Sequence, residues 1–201
     1  MLNIKNISTE DIENVVKIHI SSFSGFFLTE LGERFLKVYY RSMSLNDKSV
    51  LLGIFDEDGL CGFCAAASIS KGFNKQLILK NIISFSMVGL RIIYTRPTSL
   101  FRIFKNIRKT NTQIIDPGEY AELFSIAVSI DKQGLGIGKK LLLALEEELK
   151  SKGCKELSLT TDYYENKKTI TFYRGLNYNV LYEFIAYPNR KMYRMIKKIS
   201  L

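Results

Sequence analysis

The stretch Val128-Ser-Ile-Asp-Lys-Gln-Gly-Leu-Gly-Ile-Gly-Lys-Lys140 decides which fold this chain can adopt. Before it, residues 121–128 (AELFSIAV) are apolar and β-branched enough to predict a strand. After it, residues 139–150 (KKLLLALEEELK) repeat apolar side chains at helical spacing. The first amides of a helix have no partner inside it, and the helix dipole adds partial positive charge there. A strand, a glycine-rich turn and a helix in this order therefore predict a binding site for an anion such as a phosphate.

The spacing of the glycines distinguishes between the known phosphate-binding turns. A P-loop needs Gly, four residues and then Gly-Lys-Ser/Thr, but neither Gly134 nor Gly136 has a glycine five positions later. A dinucleotide-binding turn would have its third glycine at position 139, where this chain has Lys139. Both turns are excluded, and the pattern that remains is Gln133-x-x-Gly136-x-Gly138.

This pattern resembles the pyrophosphate loop of the GNAT superfamily of acyl-CoA-dependent N-acetyltransferases, which reads Gln/Arg-x-x-Gly-x-Gly/Ala. A second segment, NKKTITFYRGLNY from Asn166 to Tyr178, is similar to the family's Asn-x-x-Ala-x-x-Phe/Leu-Tyr-x-x-x-Gly-Phe. Thr169 stands where the family has Ala, and Asn177 stands where it has Gly. Asn is the non-glycine residue that best tolerates positive φ, so a helix can still end at this position.

The resemblance implies a fold. Residues 1–201 would form one α/β (α+β) domain with the GNAT acyltransferase fold, in which a central mixed, mostly antiparallel sheet is flanked by helices. Local patterns of apolar residues agree with this expectation. The predicted strands are residues 2–7, 50–55, 60–69, 121–128, 155–161, 180–187 and 191–197. The first predicted helix begins at Ser8-Thr-Glu-Asp11. Three further helices are predicted at residues 29–43, 138–151 and 166–173.

An insert of about 40 residues, from about 72 to 111, separates the predicted hairpin from the next strand, where a minimal family member would have almost none. Pro97 disfavours helix in the residue before it, so the insert should contain two helices, at 75–95 and 98–109. The first helix carries Lys80 and Arg91. These cations would be costly in hydrocarbon, so we do not expect the helix to span a membrane.

The second predicted insert helix is amphipathic and basic. Its apolar residues form one stripe and its cations lie away from that stripe. The stripe is Leu100, Ile103, Phe104 and Ile107, and the cations are Arg102, Lys105, Arg108 and Lys109. Such a helix either packs on its own domain or docks on a membrane surface or an acidic partner. We therefore leave peripheral membrane contact through the insert open.

The net charge of +9 belongs to one segment of the chain. Between Gly59 and Ile115 there are nine Lys or Arg residues and no Asp or Glu, which leaves 20 of the 29 basic residues against all 20 acidic ones elsewhere. A local excess of positive charge affects how fast and with which partners a protein associates, more than it affects the chemistry of catalysis. It suggests an anionic acceptor, for example a nucleotide-linked amino sugar, and we expect no nucleic-acid partner.

Composition limits the class of protein further. A length of 201 residues, 46% hydrophobic residues and only three prolines predict a folded globule with one sizeable core. The N-terminus has no basic region followed by an apolar run, so we expect no signal peptide. Three cysteines are too few and too irregularly spaced for a disulfide framework, and a reducing cytoplasm is the expected location.

Metal binding is not expected. Cys61 and Cys64 form a C-x-x-C without a second pair, and the chain has one histidine, so a zinc site would lack ligands. In a strand, the spacing of three places these thiols on opposite faces, and we predict that they pack in the core. His19 lies among apolar residues of the first helix, and we expect no metal or base role for it.

The resemblance also implies a general base. An aliphatic amine has a pKa of about 10, so a base helps it to attack a thioester at neutral pH. Glu122 stands six residues before Val128, the offset at which the histone-acetyltransferase branch of the superfamily carries its base. Strand alternation would place Glu122 beside Phe124 and Ile126, where apolar neighbours raise the pKa of a carboxyl group. The alternative is an ordinary glutamate at the start of a strand.

A general acid is implied in the same way. Tyr173 matches the motif tyrosine that donates a proton to the CoA sulfur as the thiolate leaves. A phenol, with an ordinary pKa of about 10, stays protonated at neutral pH and can do so. The alternative is a tyrosine that only packs in the core.

The expected cosubstrate is acetyl-CoA. The resemblance implies that Asn166 bonds the CoA arm and that the backbone of the strand pairs with pantetheine like an added strand. The amides of the glycine loop would hold the pyrophosphate. The implied strand residues are Ile126, Ala127 and Val128, and the loop residues are Gln133, Gly134, Leu135, Gly136, Ile137, Gly138 and Lys139.

The acceptor pocket should lie near an aromatic loop. In similar acetyltransferases the junction of the first two helices forms one wall of this pocket, so Phe23, Phe26 and Phe27 either line it or pack on the sheet.

The leading hypothesis is an N-acetyltransferase that acts on a small-molecule amine. The alternatives are a membrane- or polyanion-associated module that uses the CoA fold as a scaffold, and a protein N-acetyltransferase.

Overall fold

The computed structural model describes residues 2–95, 116–186 and 189–200, and the side chains of residues 91–95 are not part of this description. The strands are β1 (Asn3–Asn6), β2 (Ser49–Asp56), β3 (Gly59–Ala67), β4 (Ala121–Val128), β5 (Glu156–Asp162), β6 (Asn179–Ala186) and β7 (Arg190–Lys198). The helices are α1 (Ile12–Ser22), α2 (Phe27–Glu30), α3 (Glu33–Ser44), α4 (Phe73–Lys80), α5 (Ile82–Thr95), α6 (Ile137–Ser151) and α7 (Lys167–Arg174). The predicted helix at 98–109 lies outside the described residues.

The seven strands form one sheet in the order β1-β2-β3-β4-β5-β7-β6. Every neighbouring pair is antiparallel except β4 and β5, which are parallel. The predicted mixed, mostly antiparallel sheet flanked by helices is therefore confirmed. Its single parallel pair lies in the middle of the sheet.

Each face of the sheet carries its own core. On one face the apolar side of α6 packs on the strands, and we call this the α6-side core; its fully buried leucines are Leu141, Leu142, Leu145 and Leu149. On the other face α1, α3, α4 and α5 form the α1-side core, which includes Val15, Val16, Leu36, Tyr40, Phe63 and Phe85. Burial of these apolar side chains is the main stabilising contribution to the fold.

Two helix boundaries differ from the sequence prediction. The helix predicted at 29–43 is divided, because Gly32 has φ +92° and separates α2 from α3. The helix predicted at 75–95 is divided at Asn81, whose amide Nδ2 donates to Leu77 O at 2.9 Å. Asparagine competes with the backbone for hydrogen bonds in this way, and it therefore interrupts helices.

Other predicted boundaries are confirmed. The helix after the glycine loop begins at Ile137 and ends before Gly153, which has φ +80°. Asn177 has φ +67°, so the left-handed residue that the family motif supplies as glycine is supplied here by asparagine. The amide of the next residue, Tyr178, donates to Tyr173 O at 3.1 Å, which closes the end of α7.

The two cysteines of the C-x-x-C are buried free thiols, as predicted, but they do not lie on opposite faces. Phe55 pairs with Leu60, whereas Ile54 pairs with Gly62, so Cys61 is an extra residue in a β-bulge. The bulge reverses the alternation of side chains along β3. Both thiols therefore belong to the α6-side core.

None of the helices in the described part of the chain is long and apolar enough to cross a membrane.

Candidate active site

The site begins where two parallel strands separate. β4 and β5 pair at only three positions, from Ala121 opposite Leu157 to Leu123 opposite Leu159. β4 nevertheless continues to Val128 and β5 to Asp162. Beyond Leu123 the strands diverge, and the gap between them opens into the cavities described below.

A bulge in β4 decides on which face of the sheet its side chains pack. Ala66 of β3 pairs with Leu123, but Ala65 pairs with Ser125, so Phe124 has no partner on β3. As a result Phe124 packs in the α1-side core, while Ile126 packs in the α6-side core. The prediction that these two residues share a side is therefore wrong, since regular strand alternation stops at the bulge.

The glycine loop and the start of α6 line the first cavity, which we call the loop cavity and which has a volume of about 710 Å³. Gly134 and Gly136 have φ +80° and +74°, and Gly136 directly precedes the first residue of α6. A Cβ at either position would meet no atom within 4 Å, so it is the backbone conformation that requires glycine here. Lys139 lies in the first turn of α6 and also lines the cavity, which adds positive charge to that of the helix terminus.

The second cavity, the inner cavity, lies between the end of α1 and the separated strands and has a volume of about 430 Å³. All three predicted aromatic residues, Phe23, Phe26 and Phe27, line it. Its charged lining residues are Asp162 and Arg190, which form a two-pronged ion pair with each other. The guanidinium of Arg190 also lies 4.4 Å from the ring centre of Phe26, so this contact joins β7 to the segment after α1.

The two cavities meet. The residues that line both of them are Ser22, Phe23, Ile126, Thr169 and Tyr173. A long ligand with its charged end at the glycine loop can therefore place its other end beside a second molecule in the inner cavity. The arrangement suits transfer of a group between two bound molecules.

Tyr173 lies at this junction. Its side chain is buried, and burial raises the pKa of the phenol, with a smaller contribution from the thiol of Cys64. The phenol is therefore protonated at neutral pH, as a proton donor must be. Its ring contacts those of Phe172 and Tyr178, with centroids 5.2 Å and 5.6 Å away, which fixes its position on α7.

The predicted cofactor residues divide into groups. Those that line the loop cavity are Ile126, Ala127, Val128, Gln133, Gly134, Gly136, Ile137, Gly138 and Lys139. Leu135 is not among the residues that line either cavity and is 66% exposed. Asn166 lines the inner cavity instead, and its amide donates to Thr161 Oγ1 at 2.6 Å and to Asp162 O at 3.1 Å. Its amide group therefore holds the loop between β5 and α7.

Glu122, the predicted base, lies elsewhere. One carboxylate oxygen accepts a hydrogen bond from Arg194 and the other from Ser70, and the residue lines neither cavity. Burial acts to lower the pKa of the Arg194 guanidinium, but the negative charge of Glu122 and its hydrogen bond outweigh this effect and raise it. The ion pair links β4 to β7, which is a structural role for Glu122. This geometry does not support a role as the general base.

Two residues at the end of α1 line the cavities although neither was predicted to do so: no metal or base role was expected for His19, and no role was predicted for Ser22. His19 and Ser22 both line the inner cavity, and Ser22 also lines the loop cavity. The Nδ1 atom of His19 lies 2.7 Å from the hydroxyl of Tyr40, which in turn donates to Ser125 Oγ at 3.2 Å. The sequence contained one indication of this arrangement. His19 and Ser22 are three residues apart, which places them on one side of a helix that ends at the aromatic loop.

The fold and the two cavities define a class of protein, and comparison with known families agrees. The chain belongs to the acetyltransferase (GNAT) family, whose model matches residues 12–178. Comparison with curated proteins finds no match. The resemblance of the two sequence motifs to this family is thereby confirmed, and the protein is a GNAT-family N-acetyltransferase.

Solved structures show the same fold at low identity. The chain is similar to the ribosomal-protein-S18-alanine N-acetyltransferase from Escherichia coli, with 17% identity, a TM-score of 0.64, and coverage of 100% of this chain and 96% of that one. It is similar to the PaiA N-acetyltransferase from Thermoplasma acidophilum in complex with coenzyme A, with 18% identity, a TM-score of 0.62, and coverage of 98% and 99%. A third is YncA, a putative acetyltransferase from Salmonella typhimurium with acetyl-CoA, with 14% identity, a TM-score of 0.63, and coverage of 100% and 95%.

Proposed function

We propose that this enzyme transfers the acetyl group of acetyl-CoA to a primary amine of a small molecule. The observation that carries the proposal is the junction of the loop cavity with the inner cavity at Ser22, Thr169 and Tyr173. The similar structures of PaiA and YncA contain coenzyme A and acetyl-CoA, respectively, which supports the choice of cosubstrate.

The residues of the loop cavity fit a CoA molecule. The backbone amides of residues 133–139 and the charge of Lys139 would hold the pyrophosphate at the start of α6. The backbone of β4 from Ile126 to Val128 extends beyond its pairing with β5 and would bond the pantetheine arm as an added strand would. The thioester would then lie near Tyr173.

The reaction needs no further reactant. The amine nitrogen forms a bond to the thioester carbon, the carbon–sulfur bond breaks, and its electron pair leaves with sulfur. One proton leaves the nitrogen, and one proton reaches the sulfur, which Tyr173 would supply. The products are an acetamide and free CoA. The phenol recovers its proton from the solvent or from the proton released by the amine.

The size and closure of the inner cavity favour a small acceptor over a protein chain. Phe26, in the segment after α1, contacts Arg190 of β7. Arg190 also forms an ion pair with Asp162 of β5, so these contacts link three elements at one side of the cavity. An extended peptide would have to separate these contacts. The anionic acceptor that the basic insert suggests stays a prediction, because the paired Asp162 and Arg190 give the described cavity lining no net charge.

The first test is a thermal-shift titration with acetyl-CoA and with CoA. A ligand that binds only the folded state raises its stability by about 2.7 kcal/mol at 100 times its dissociation constant. Gly136→Glu would place a carboxylate in the loop cavity and should abolish the shift. Gly153→Glu is the matched control, because Gly153 has a similar φ of +80° at the opposite end of α6. No shift for the unmodified protein at millimolar ligand would contradict the proposal.

Contact with a membrane surface is a second candidate property, and one described feature favours it. Six large apolar side chains on α4 and α5 are exposed: Ile78, Leu79, Ile82, Ile83, Met87 and Leu90, by 39% to 75%. Lys75 and Lys80 on α4 are also exposed, and residues 60–115 contain no Asp or Glu. An apolar helical surface with cations and without acidic residues is complementary to an anionic bilayer. We infer peripheral contact of α4 and α5 with such a surface.

A further inference from the structure

Two buried polar atoms at the end of α1 have no hydrogen-bond partner in the described structure: Nε2 of His19 and Oγ of Ser22. His19 is only 2% exposed. Buried polar groups in folded proteins are almost always satisfied, so an unsatisfied pair calls for an explanation. The two residues are one helical turn apart, which places both atoms on the same side of α1.

The hydrogen bonds of the imidazole decide which nitrogen carries the proton. The hydroxyl of Tyr40 lies 2.7 Å from His19 Nδ1 and 3.2 Å from Ser125 Oγ, and it has one proton to donate. We assign that proton to the contact with Ser125 Oγ, which makes Nδ1–H the donor to Tyr40 Oη. In the neutral ring this leaves a lone pair on Nε2. His19 therefore offers an acceptor, whereas the hydroxyl of Ser22 can both donate and accept.

The position of this pair connects it with the proposed reaction. His19 lines the inner cavity, and Ser22 lines both cavities together with Tyr173. Phe23, whose ring centre lies 4.8 Å from that of His19, also lines both cavities and covers the imidazole. A turn of the Phe23 side chain would expose Nε2 to a molecule in the inner cavity.

We propose that His19 Nε2 and Ser22 Oγ bind the nitrogen of the acceptor amine. The inference rests on the proposed acetyltransferase function and specifies its acceptor class. The amine donates N–H to Nε2, while its lone pair stays free for the thioester carbon. The ligand is a small primary amine with an aromatic or alkyl body, because phenylalanines line the cavity and its two charged residues, Asp162 and Arg190, neutralise each other.

The proton position can be tested without knowledge of the natural acceptor. His19 is the only histidine in the chain, so a long-range ¹H–¹⁵N correlation spectrum of labelled protein shows a single imidazole. We expect a neutral ring protonated at Nδ1 and unprotonated at Nε2. Tyr40→Phe, which removes the acceptor of the Nδ1 proton, should reduce this preference. A ring protonated at Nε2 in the unmodified protein would overturn the proposal.

Kinetics with benzylamine as the probe test the binding role. The amide of His19→Asn can replace Nδ1 but not Nε2, whereas that of His19→Gln can replace Nε2 but not Nδ1. We expect His19→Asn and Ser22→Ala to raise the KM for benzylamine at least about tenfold with a smaller change in kcat, as loss of a hydrogen bond to substrate would. His19→Gln should recover part of the loss. The KM for acetyl-CoA should change less than twofold in both His19 variants, because His19 lines only the inner cavity.

The possible outcomes separate this inference from the proposed function. If the unmodified enzyme binds acetyl-CoA in the thermal-shift titration but does not acetylate benzylamine, the acceptor class proposed here is wrong and the enzyme class stands. Equal KM values for benzylamine in the unmodified enzyme and His19→Asn would also overturn the inference. If acetyl-CoA does not bind at all, the proposed function fails first.

Discussion

At the residue scale, three candidate side chains differ in how well local sequence predicts their surroundings. Tyr173 is buried at the junction of two cavities, His19 faces the inner cavity from α1, and Glu122 is held by Arg194 and Ser70. The motif pointed to Tyr173, which lines both cavities. No motif pointed to His19, and the ion pair of Glu122 involves a residue more than 70 positions away.

Replacement of Tyr173 by phenylalanine tests the proton donor. Tyr173→Phe keeps the ring and its contacts but removes the hydroxyl, so the leaving thiolate loses its acid. We expect kcat to fall about 100-fold, within the usual range for general acid catalysis. Binding of acetyl-CoA, measured by thermal shift, should be nearly unchanged. Unaltered kcat at saturating substrates would contradict the assigned role.

Stability should depend on pH through His19. Burial lowers the pKa of His19 to about 4 from 6.5, so the unfolded chain takes up a proton between these values and the folded chain does not. The contribution to stability is complete above pH 6.5 and is lost as pH falls towards 4, by about 3 kcal/mol in total. Tyr40, the titratable group in contact with the ring, stays neutral because burial raises its pKa.

The measurement is the free energy of unfolding from pH 7 to pH 4 for the unmodified protein and for His19→Gln. Carboxylates titrate in both proteins, so the difference between the two curves isolates the imidazole. We expect the unmodified protein to lose more stability than the variant over this range. Parallel curves would show that the histidine is accessible to protons in the folded state.

Glu122→Gln distinguishes a structural role from a catalytic one. The substitution removes one charge from a pair whose side chains are only 13–14% exposed, and loss of a buried partner costs about 3 kcal/mol. We expect lower stability in urea unfolding, with kcat at 20 °C and its pH profile close to those of the unmodified enzyme. If stability is unchanged and the acidic limb of the pH profile disappears, Glu122 is the base that the family resemblance implied.

At the scale of elements, two irregularities create the site. The bulge at Phe124 reverses the side-chain alternation of β4, and the separation of β4 from β5 after Leu123 opens the cavities. The glycine loop then directs the start of α6 towards the opening. Sequence patterns predicted each strand and helix involved, but they gave no indication of the bulge. An extra residue in a strand becomes visible only when the pairing with the neighbouring strand is known.

The exposed apolar surface of α4 and α5 gives a prediction at this scale. Ile83→Glu with Met87→Glu should reduce binding to vesicles containing anionic phosphatidylglycerol at least about tenfold, because it replaces apolar contact by like-charge repulsion. Leu45→Glu with Leu143→Glu, at exposed apolar positions directly after α3 and on α6, is the control with the same change of charge. Co-sedimentation measures binding. Equal binding of both variants, or none by the unmodified protein, would contradict the membrane contact.

At the scale of the whole molecule, α6 belongs both to the core and to the site. Its start forms part of the loop cavity, and its leucines fill the α6-side core. Further along the helix, Glu146 accepts hydrogen bonds from Tyr178 at 2.8 Å and from Lys197 at 2.6 Å. This buried cluster joins α6 to the residues after α7 and to β7, away from the cavities.

Glu146→Ala should therefore separate stability from ligand binding. The change leaves Lys197 without its buried partner, and we expect a loss of about 3 kcal/mol in the free energy of unfolding. The dissociation constant for acetyl-CoA, measured by calorimetry well below the melting temperature, should change less than about twofold, since the interactions are independent. A large loss of affinity would show that this cluster helps to position the start of α6.

The sequence alone determined the family and most of the elements, because glycine conformations, helical periodicity and motif spacing act over short distances along the chain. It predicted the glycine turn, the helix that follows it and the left-handed Asn177. Only the tertiary structure decided which polar groups meet. The partners of Glu122, the neighbours of His19 and the faces of Phe124 and Ile126 depend on strand register and on a bulge, and these are set by packing between segments that are distant in sequence.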